Sequence, residues 1–297
     1  MSPGSTYKHA SINGDFDAIV IGSGAGGLGV AALLAKLAHK RVLVLERHYT
    51  VGGFTHTFTR PGFAWDVGVH YVRGVHDAAS DVHRWLEFLT EGRLGWAPMG
   101  DVYDRFLIGG QTYEFPEGRE RWRETLKQRF SRDVRAIDAY LAATAASNRW
   151  MGLYFAEKIM PRAVRAAAGW LMRAPFLRRG GRTTLEVLRG ITSNDELIGL
   201  LTGQWGDYGL PPAQSSFAAH AAIAEHYFNS AAYPVGGGAQ IAGAIIPTIE
   251  RGGGQVVGAA DVRHILTSNG RARGVRMADG REFLAGIVIS DAGAFTT

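Results

Sequence analysis

A glycine-rich loop near the start of the chain limits the possible folds more than any other feature of the sequence. Residues 22–27 read Gly-Ser-Gly-Ala-Gly-Gly, which fits G-x-G-x-x-G, and they directly follow an apolar run at 16–21. An Ala- and Leu-rich stretch at 26–37 comes next, then a second apolar run at 41–45 and Glu46. This order of strand, glycine loop, helix, strand and acid predicts a β-α-β unit that opens a doubly wound α/β fold.

Each part of the loop has a physical role in binding a dinucleotide, although a glycine-rich turn without a ligand is the alternative. Gly22 permits a tight turn, Gly24 leaves room for a diphosphate, and Gly27 allows the helix to approach the strand. The helix N-terminus offers unpaired N–H groups and the positive end of its dipole to the phosphates. Glu46 is expected to accept hydrogen bonds from the adenosine ribose, and its charge disfavours a 2′-phosphate. The predicted contacts in the loop are Gly22, Ser23, Gly24, Ala25, Gly26 and Gly27.

A second pair of glycines favours FAD over NAD, a choice that the first loop does not make. Glu46 and Arg47 are followed after a short spacer by Gly52 and Gly53. Many flavoproteins with two dinucleotide-binding folds resemble this E-x-x-x-x-x-G-G pattern, in which the second pair lets the backbone pass close to the flavin side of the diphosphate. These four residues are therefore predicted FAD contacts, and a simple β-turn at the glycine pair is the alternative.

The composition excludes several other classes of site. The 297 residues contain no cysteine, which excludes disulfides, thiolate zinc sites, iron–sulfur ligation and a cysteine nucleophile. None of the ten histidines stands in H-E-x-x-H or another metal-binding spacing, so no metal site is predicted. The 40 glycines occur in local runs without a fixed period, so the chain is neither collagen-like nor of low complexity.

Changes of pattern along the chain predict three parts. Residues 1–15 form a polar leader that we expect to be flexible and that lacks the features of a secretory signal. Residues 16–116 and 233–297 have mixed α/β patterns and are expected to form one discontinuous FAD-binding domain. The mostly helical pattern of 117–232 predicts an inserted domain for contact with substrate or membrane. No stretch approaches the ~18 apolar residues of a spanning helix, so the predicted location is cytoplasmic, with peripheral attachment to a membrane.

Longer motifs extend the pattern beyond the two glycine loops. They read G-F-A-W-D-V-G-V-H-Y at 62–71, Y-P-V-G-G-G at 233–238 and V-I-S-D-A-G at 288–293, and further matches lie at 53–58 and 220–228. Together these segments resemble the retinol saturase, phytoene desaturase and carotenoid isomerase family of FAD-dependent oxidoreductases, and the likeness spans nearly the whole chain.

The resemblance implies more than the glycine loops do. It implies a two-dinucleotide-binding, Rossmann-like FAD fold with an inserted helical domain, and a lipophilic polyene of the retinoid or carotenoid kind as substrate. It also implies a backbone contact from Val262 to the adenine. Members of the family continue beyond the point that corresponds to Thr297. The C-terminal part of the fold is therefore expected to lie outside this chain, and a partner chain could supply it.

Hydride transfer at a C–C bond needs a cofactor, because flavin N5 can donate or accept hydride and protein side chains cannot. A saturase also needs a proton donor near the neighbouring carbon. Asp66 is expected to stabilise its own turn by accepting from N–H groups two residues further on. The candidate proton donors are His70, Tyr71, His226, Tyr227 and Tyr233, and packing against the flavin or capping a turn is the alternative for each.

One segment concentrates the positive charge of the chain. Residues 149–189 hold nine basic and two acidic residues among many aromatic and apolar ones, whereas the whole chain has a net charge of +5. Apolar groups on one face and cations on the other suit a helix lying in an anionic membrane interface. Packing of the aromatic groups in the protein's own core is the alternative. The rest of the chain shows no basic stripe, so nucleic-acid binding is not predicted.

The sequence thus predicts an FAD-dependent oxidoreductase that saturates or desaturates a lipophilic polyene. A redox-neutral isomerase would use the same cofactor, and no residue separates the two. Two further alternatives stay open: a partial subunit that binds FAD or a membrane without activity of its own, and an NAD-dependent dehydrogenase.

Overall fold

The computed structural model describes residues 5–228 and 231–297 of the chain. Its strands, in chain order, are β1 Ser5–Thr6, β2 Ala18–Ile21, β3 Val42–Leu45, β4 Thr57–Arg60, β5 Phe63–Asp66, β6 Trp96–Pro98, β7 Val102–Ile108, β8 Gln111–Pro116, β9 Ala232–Pro234, β10 Gln255–Gly258, β11 Val262–Ser268, β12 Arg271–Met277, β13 Glu282–Leu284 and β14 Ile287–Ser290. Its helices are α1 Ala25–Ala38, α2 Asp81–Thr90, α3 Arg119–Arg129, α4 Val134–Ile159, α5 Arg162–Gly180, α6 Thr184–Arg189, α7 Asp195–Leu201, α8 Phe217–Tyr227 and α9 Ala239–Arg251.

The chain divides into two compact units. The first comprises Met1–Pro98 and Ala232–Thr297, and the second comprises Met99–Ala231. The hairpin β7–β8 therefore belongs to the second unit, whereas the sequence pattern groups it with the glycine loop. Residues 1–4 of the expected flexible leader lie outside the described residues. The next two, Ser5 and Thr6, form β1 at the edge of the parallel sheet, where they pair with β10.

A five-stranded parallel sheet forms the centre of the first unit, with the strand order β1-β10-β3-β2-β14. The inner strands β2 and β3 are uninterrupted apolar runs because both of their faces are covered. Ala18 and Val20 of β2 face a cluster that includes residues of α1 and α9. Ile19 between them faces a second cluster that includes Val275 and Met277 of the antiparallel sheet β11-β12-β13. The predicted doubly wound α/β fold of the Rossmann-like kind is confirmed.

The order of the parallel strands determines where a ligand can bind. The chain moves from β2 through α1 to β3 on one side, whereas β14 pairs with β2 on the other side. Ligands of open α/β sheets bind at the carboxyl ends of the strands, at the point where the strand order reverses. The segments that follow β2, β3 and β14 meet at that edge of the sheet.

The second unit is mainly helical, as expected, and is built around a cluster of aromatic side chains. Trp122, Tyr140 and Phe228 are almost completely buried in it. His220 of α8 lies between two tyrosines: its Nε2 is 2.9 Å from the hydroxyl of Tyr140, and its Nδ1 is 3.1 Å from that of Tyr208. Burial lowers the pKa of His220 to about 4. At neutral pH the ring is therefore uncharged, so one nitrogen donates and the other accepts.

Candidate functional site

A cavity of about 730 Å³ opens at the carboxyl edge of the parallel sheet in the first unit. It brings together segments that are far apart in the sequence: the glycine loop, the segment after β3, the start of β11 and the loop after β14. The residues that line it are Ile21, Gly22, Gly24, Ala25, Gly26, Leu45, Glu46, Arg47, Gly53, Phe54, Thr55, Ala260, Asp261, Val262, Arg263, Asp291, Ala292 and Thr296. Most of the residues expected from the sequence to contact a cofactor are in this set.

The glycine loop has the backbone geometry that a close approach to phosphate requires. Gly22 has φ +101°, which favours glycine, and its N–H donates to the carbonyl of Leu45. Gly24 is the N-cap of α1 and is extended, so the first N–H groups of the helix point toward the cavity without a capping side chain from their own segment. A Cβ atom on Gly27 would lie 2.3 Å from the carbonyl oxygen of Gly22. Gly27 therefore lets α1 start directly against β2.

Glu46 connects the two glycine segments. One carboxylate oxygen, Oε2, accepts from the backbone N–H of Ser23 at 2.8 Å and from its hydroxyl at 2.7 Å. The other, Oε1, accepts from the backbone N–H of His48 at 2.8 Å. Ser23 in turn accepts at Oγ from the N–H of Gly52 at 2.9 Å. Ser23 is completely buried and does not line the cavity, so its side chain supports the loops rather than facing a ligand.

The second glycine pair lies directly against the first loop. Gly52 and Gly53 have φ of +116° and +56°, and a Cβ on Gly53 would lie 2.8 Å from the Cα of Gly24. Gly53 lines the cavity, and Gly52 is packed behind it, where a Cβ would lie 3.2 Å from that of Ala242. The pair is therefore more than an isolated β-turn, because a side chain at Gly53 would push the two loops apart and one at Gly52 would collide with Thr55 and Ala242.

The predicted adenine contact, Val262, lines the cavity at the start of β11. Its neighbours Asp261 and Arg263 line the same part of the cavity and form an ion pair, with 3.1 Å between Nη2 and Oδ2. The backbone of Val262 thus lies between two charged side chains that are partly exposed to solvent.

Asp291 lines the cavity but is not among the cofactor contacts that are expected from the sequence. It follows β14, and its N–H donates to the carbonyl of Ile21 at 2.7 Å. Its carboxylate oxygen Oδ2 accepts from the N–H of Gly27 at 3.0 Å. The signal that identifies Asp291 is topological: a polar residue that follows a parallel strand beside β2 must lie at the edge where the glycine loop begins.

The five candidate proton donors are divided between the two units. His70 and Tyr71 are neighbours in the first unit, with ring centroids 5.2 Å apart, and Tyr233 is a partly buried residue of β9 that pairs with Ala97. His226 and Tyr227 end α8 in the second unit. Among the five, His70 is the most exposed to solvent.

Tyr227 is held in the aromatic interior of the second unit. Its side chain is 2% exposed, and its ring centroid lies 6.1 Å from that of Tyr103. Burial, with a contribution from Asp207, raises the pKa of Tyr227 above its ordinary value. These surroundings keep the phenol protonated and favour a packing role for Tyr227.

Asp66 does not bind its own turn as expected. Its Oδ1 instead accepts from the N–H of Gly238 at 3.0 Å, at the point where α9 begins. The positive end of the helix dipole attracts the carboxylate there. Gly236 and Gly237, with φ of +90° and +94°, bring the chain into this position. Asp66 therefore fixes the Y-P-V-G-G-G turn against the end of β5.

Comparison with known proteins agrees with the fold. A family model described as an NAD(P)-binding Rossmann-like domain matches residues 20–89. An oxidoreductase from Methanosarcina mazei has a similar fold, with a TM-score of 0.59 and 22% identity over 93% of this chain and 58% of that one. Cyclohexylamine oxidase from Brevibacterium oxydans is similar over 93% of this chain and 58% of that one, with a TM-score of 0.57 and 20% identity. The fold is that of a Rossmann-like domain of the NAD(P)- or FAD-binding kind.

Sequence relatives give a narrower assignment. The all-trans-retinol 13,14-reductase of Danio rerio is 37% identical over 95% of this chain and 48% of its own length. A Danio rerio protein described as an inactive all-trans-retinol 13,14-reductase is 32% identical over 98% and 50%. The prolycopene isomerase of Arabidopsis thaliana is 27% identical over 95% and 48%. The chain is a homologue of these proteins, and the resemblance to the retinol saturase and carotenoid isomerase group is confirmed. It spans about half the length of the curated relatives that it matches.

Proposed function

We propose that this chain binds FAD in the cavity beside the glycine loop and forms part of an oxidoreductase that acts on C–C or C=C bonds of a lipophilic polyene. The observation that carries the proposal is the contact between the two glycine segments, in which Gly53 lies against Gly24 over a cavity that also contains Glu46. The retinol reductases and prolycopene isomerases among the relatives support a retinoid- or carotenoid-like substrate.

The donor set of the cavity fits FAD. Its volume lies within the roughly 300–1,000 Å³ that is usual for cofactor sites. The N–H groups at the start of α1 would hold the diphosphate, and the hydrogen bond from Gly27 to the Asp291 carboxylate supports an anion at this place. Glu46 would hold the ribose, and the backbone of Val262 would contact the adenine.

The bound flavin supplies the hydride acceptor or donor, since no side chain of the chain can do so. The chain's own residues orient the cofactor and supply protons. Of the five candidate proton donors, His70, Tyr71 and Tyr233 lie in the unit that contains the cavity. We propose these three before Tyr227, because a side chain that is 2% exposed has little access to a substrate carbon.

Spectroscopy of the purified chain tests this function. We expect a yellow protein whose flavin absorbance bleaches with dithionite, and all-trans-retinol supplied anaerobically to the reduced protein should yield a product with one fewer double bond. A product that is only a geometric isomer would indicate the redox-neutral reaction instead. A colourless protein that binds NAD and takes up no FAD would contradict the proposal.

A second candidate is an FAD-binding subunit that needs a further chain for turnover. It predicts the same yellow, reducible protein but no conversion of retinol by the chain alone. Activity that appears only when a second polypeptide is added would distinguish it from the first candidate.

We also propose that the hairpin α4–α5 contacts an anionic membrane, from which a water-insoluble substrate could enter. Large apolar side chains on this hairpin are exposed, among them Phe155, Ile159 and Trp170. Arg162 and Arg178 of α5 are also exposed. Tyr154 and Phe176 are exceptions, since they pack on each other with ring centroids 4.8 Å apart. No helix in the described part of the chain is both long and apolar enough to cross a membrane.

Charge reversal in the hairpin tests the membrane contact. Arg162→Glu combined with Arg178→Glu should lower binding to vesicles that contain phosphatidylserine by at least about 30-fold, because each basic residue near such a surface contributes about 1 kcal/mol. Arg173 is left unchanged because it forms an ion pair with Glu157. Co-sedimentation with vesicles measures the effect.

The matched control is Arg271→Glu combined with Arg273→Glu on β12, which changes the net charge equally at exposed positions of the first unit. It should retain most of the vesicle binding. An equal loss of vesicle binding in both double variants would mean that net charge alone controls the binding. It would exclude the hairpin as the contact surface.

A further inference from the structure

The Asp291 carboxylate lies over the glycine loop at the start of α1. Its Oδ2 accepts from the N–H of Gly27 at 3.0 Å. Cβ atoms built on Gly24 and Gly26 would lie 2.8 Å and 3.0 Å from its Oδ2 and Oδ1, respectively. The two oxygens therefore lie against Gly24, Gly26 and Gly27, in the part of the loop where a diphosphate would bind.

The segment of α1 itself supplies no anionic group to the N-terminus of the helix. Its N-cap is Gly24, which has no side chain to accept a hydrogen bond, and its first turn contains no acidic residue. Asp291 supplies the missing cap from the end of a neighbouring strand, 264 residues away in the sequence. A carboxylate at this place satisfies an N–H group and the helix dipole in the same way as a phosphate oxygen.

We infer that Asp291 competes with the dinucleotide for the N-terminus of α1 and so sets the affinity of the site. This inference rests on the proposed FAD function. The carboxylate and a diphosphate would need the same backbone donors, and their like charges repel. Binding therefore requires the Asp291 side chain to move away.

The local structure permits this movement. The backbone of Asp291 is held by its hydrogen bond to Ile21, so the strand end stays in place while the side chain turns. Asp291 is exposed on the cavity side, and the following loop contains Gly293 with φ +88°. In the free protein the side chain stabilises α1, and in the complex the diphosphate takes its place.

Asp291→Ala separates this competition from a supporting role, because the two roles predict opposite signs. We expect the Kd for FAD, measured by quenching of flavin fluorescence, to fall about tenfold, since the competing cap and its charge are removed. The free variant should melt about 3 °C lower than the free wild type, because α1 loses its N-terminal acceptor. Asp291→Asn, which keeps an acceptor but not the charge, should lie between the two in both measurements.

The control is Asp15→Asn, which removes the same charge from an exposed position of the first unit, before β2. Asp15 does not line the cavity, and no Asp15 atom is among the nearest neighbours of a Cβ built on the loop glycines. This variant should change the Kd for FAD by less than about twofold, as expected for a screened charge. An equal tightening in Asp15→Asn and Asp291→Ala would overturn the inference, because it would show a general effect of charge.

Weaker FAD binding by Asp291→Ala would overturn the inference too, since Asp291 would then support the bound cofactor. Unchanged binding would do the same while leaving the proposed function intact. Failure of the wild type and of every variant to take up FAD would instead contradict the proposed function itself.

Discussion

Gly24→Val is expected to remove FAD binding, with a loss of affinity of at least about 100-fold, while the chain still folds. A Cβ on Gly24 would point into the cavity, and its nearest neighbour is the Asp291 Oδ2 at 2.8 Å. That atom is the end of a side chain that can turn away. The backbone of Gly24 has φ −60° and ψ 172°, which valine adopts readily. The branched side chain would then occupy the diphosphate position, and a 100-fold loss corresponds to about 2.7 kcal/mol of binding free energy.

Titration of FAD into the purified variant measures the loss, and circular dichroism confirms that the fold persists. Gly29→Ala is the matched control, because Gly29 lies in the same helix and a Cβ there would meet only the Leu89 Cδ1 at an ordinary 3.7 Å. This control should bind FAD like the wild type and melt at the same or a slightly higher temperature, since alanine favours the helix. Full FAD uptake by Gly24→Val would mean that the glycine loop does not hold the cofactor.

The central sheet and glycine loop of the first unit can be predicted from the sequence, because the patterns that specify them lie within short stretches of the chain. Parallel strands that are buried on both faces appear as uninterrupted apolar runs, and the loop between β2 and α1 carries its own glycine pattern. The cavity residues that come from short motifs, namely Glu46, Arg47 and Gly53, were therefore all expected. The turn of the hairpin β7–β8 is equally local, because Gly109 and Gly110, which both have positive φ, are adjacent in the sequence.

Other parts of the site depend on partners that are distant in the sequence. Asp291 meets Gly27 across 264 residues, and Asp66 meets Gly238 across 172. Neither pairing follows from a local pattern; the first follows only once β14 is known to pair with β2. Burial also depends on residues that are distant in the sequence. Ser23 and Tyr227 lie in the interior because of packing, and a sequence motif does not determine whether the side chain of a residue faces a ligand.

Gly27→Ala is expected to give the opposite result to Gly24→Val, namely a protein that is unstable even without FAD. A Cβ on Gly27 would lie 2.3 Å from the carbonyl oxygen of Gly22, which is a backbone atom in the tight turn and cannot rotate away. Helix α1 would have to move from β2, where Leu28, Ala31 and Ala32 are packed in the core. Such overpacking costs about 3 kcal/mol, which corresponds to a fall of about 6 °C or more in the melting temperature.

Thermal denaturation of the FAD-free variant, followed by circular dichroism, measures this fall. Gly29→Ala serves again as the control, because it adds the same methyl group two residues further along α1, where the Cβ meets only the Leu89 Cδ1 at an ordinary distance. A distance of 2.3 Å between a Cβ on Gly27 and the Gly22 carbonyl oxygen implies a close approach of α1 to β2. A Gly27→Ala protein that melts like the wild type would contradict this close approach. The two glycines thus test different properties of one loop. Gly24 faces the cavity, so its replacement should affect FAD binding first. Gly27 faces the strand, so its replacement should affect folding first, and FAD binding only because the N-terminus of the helix is displaced.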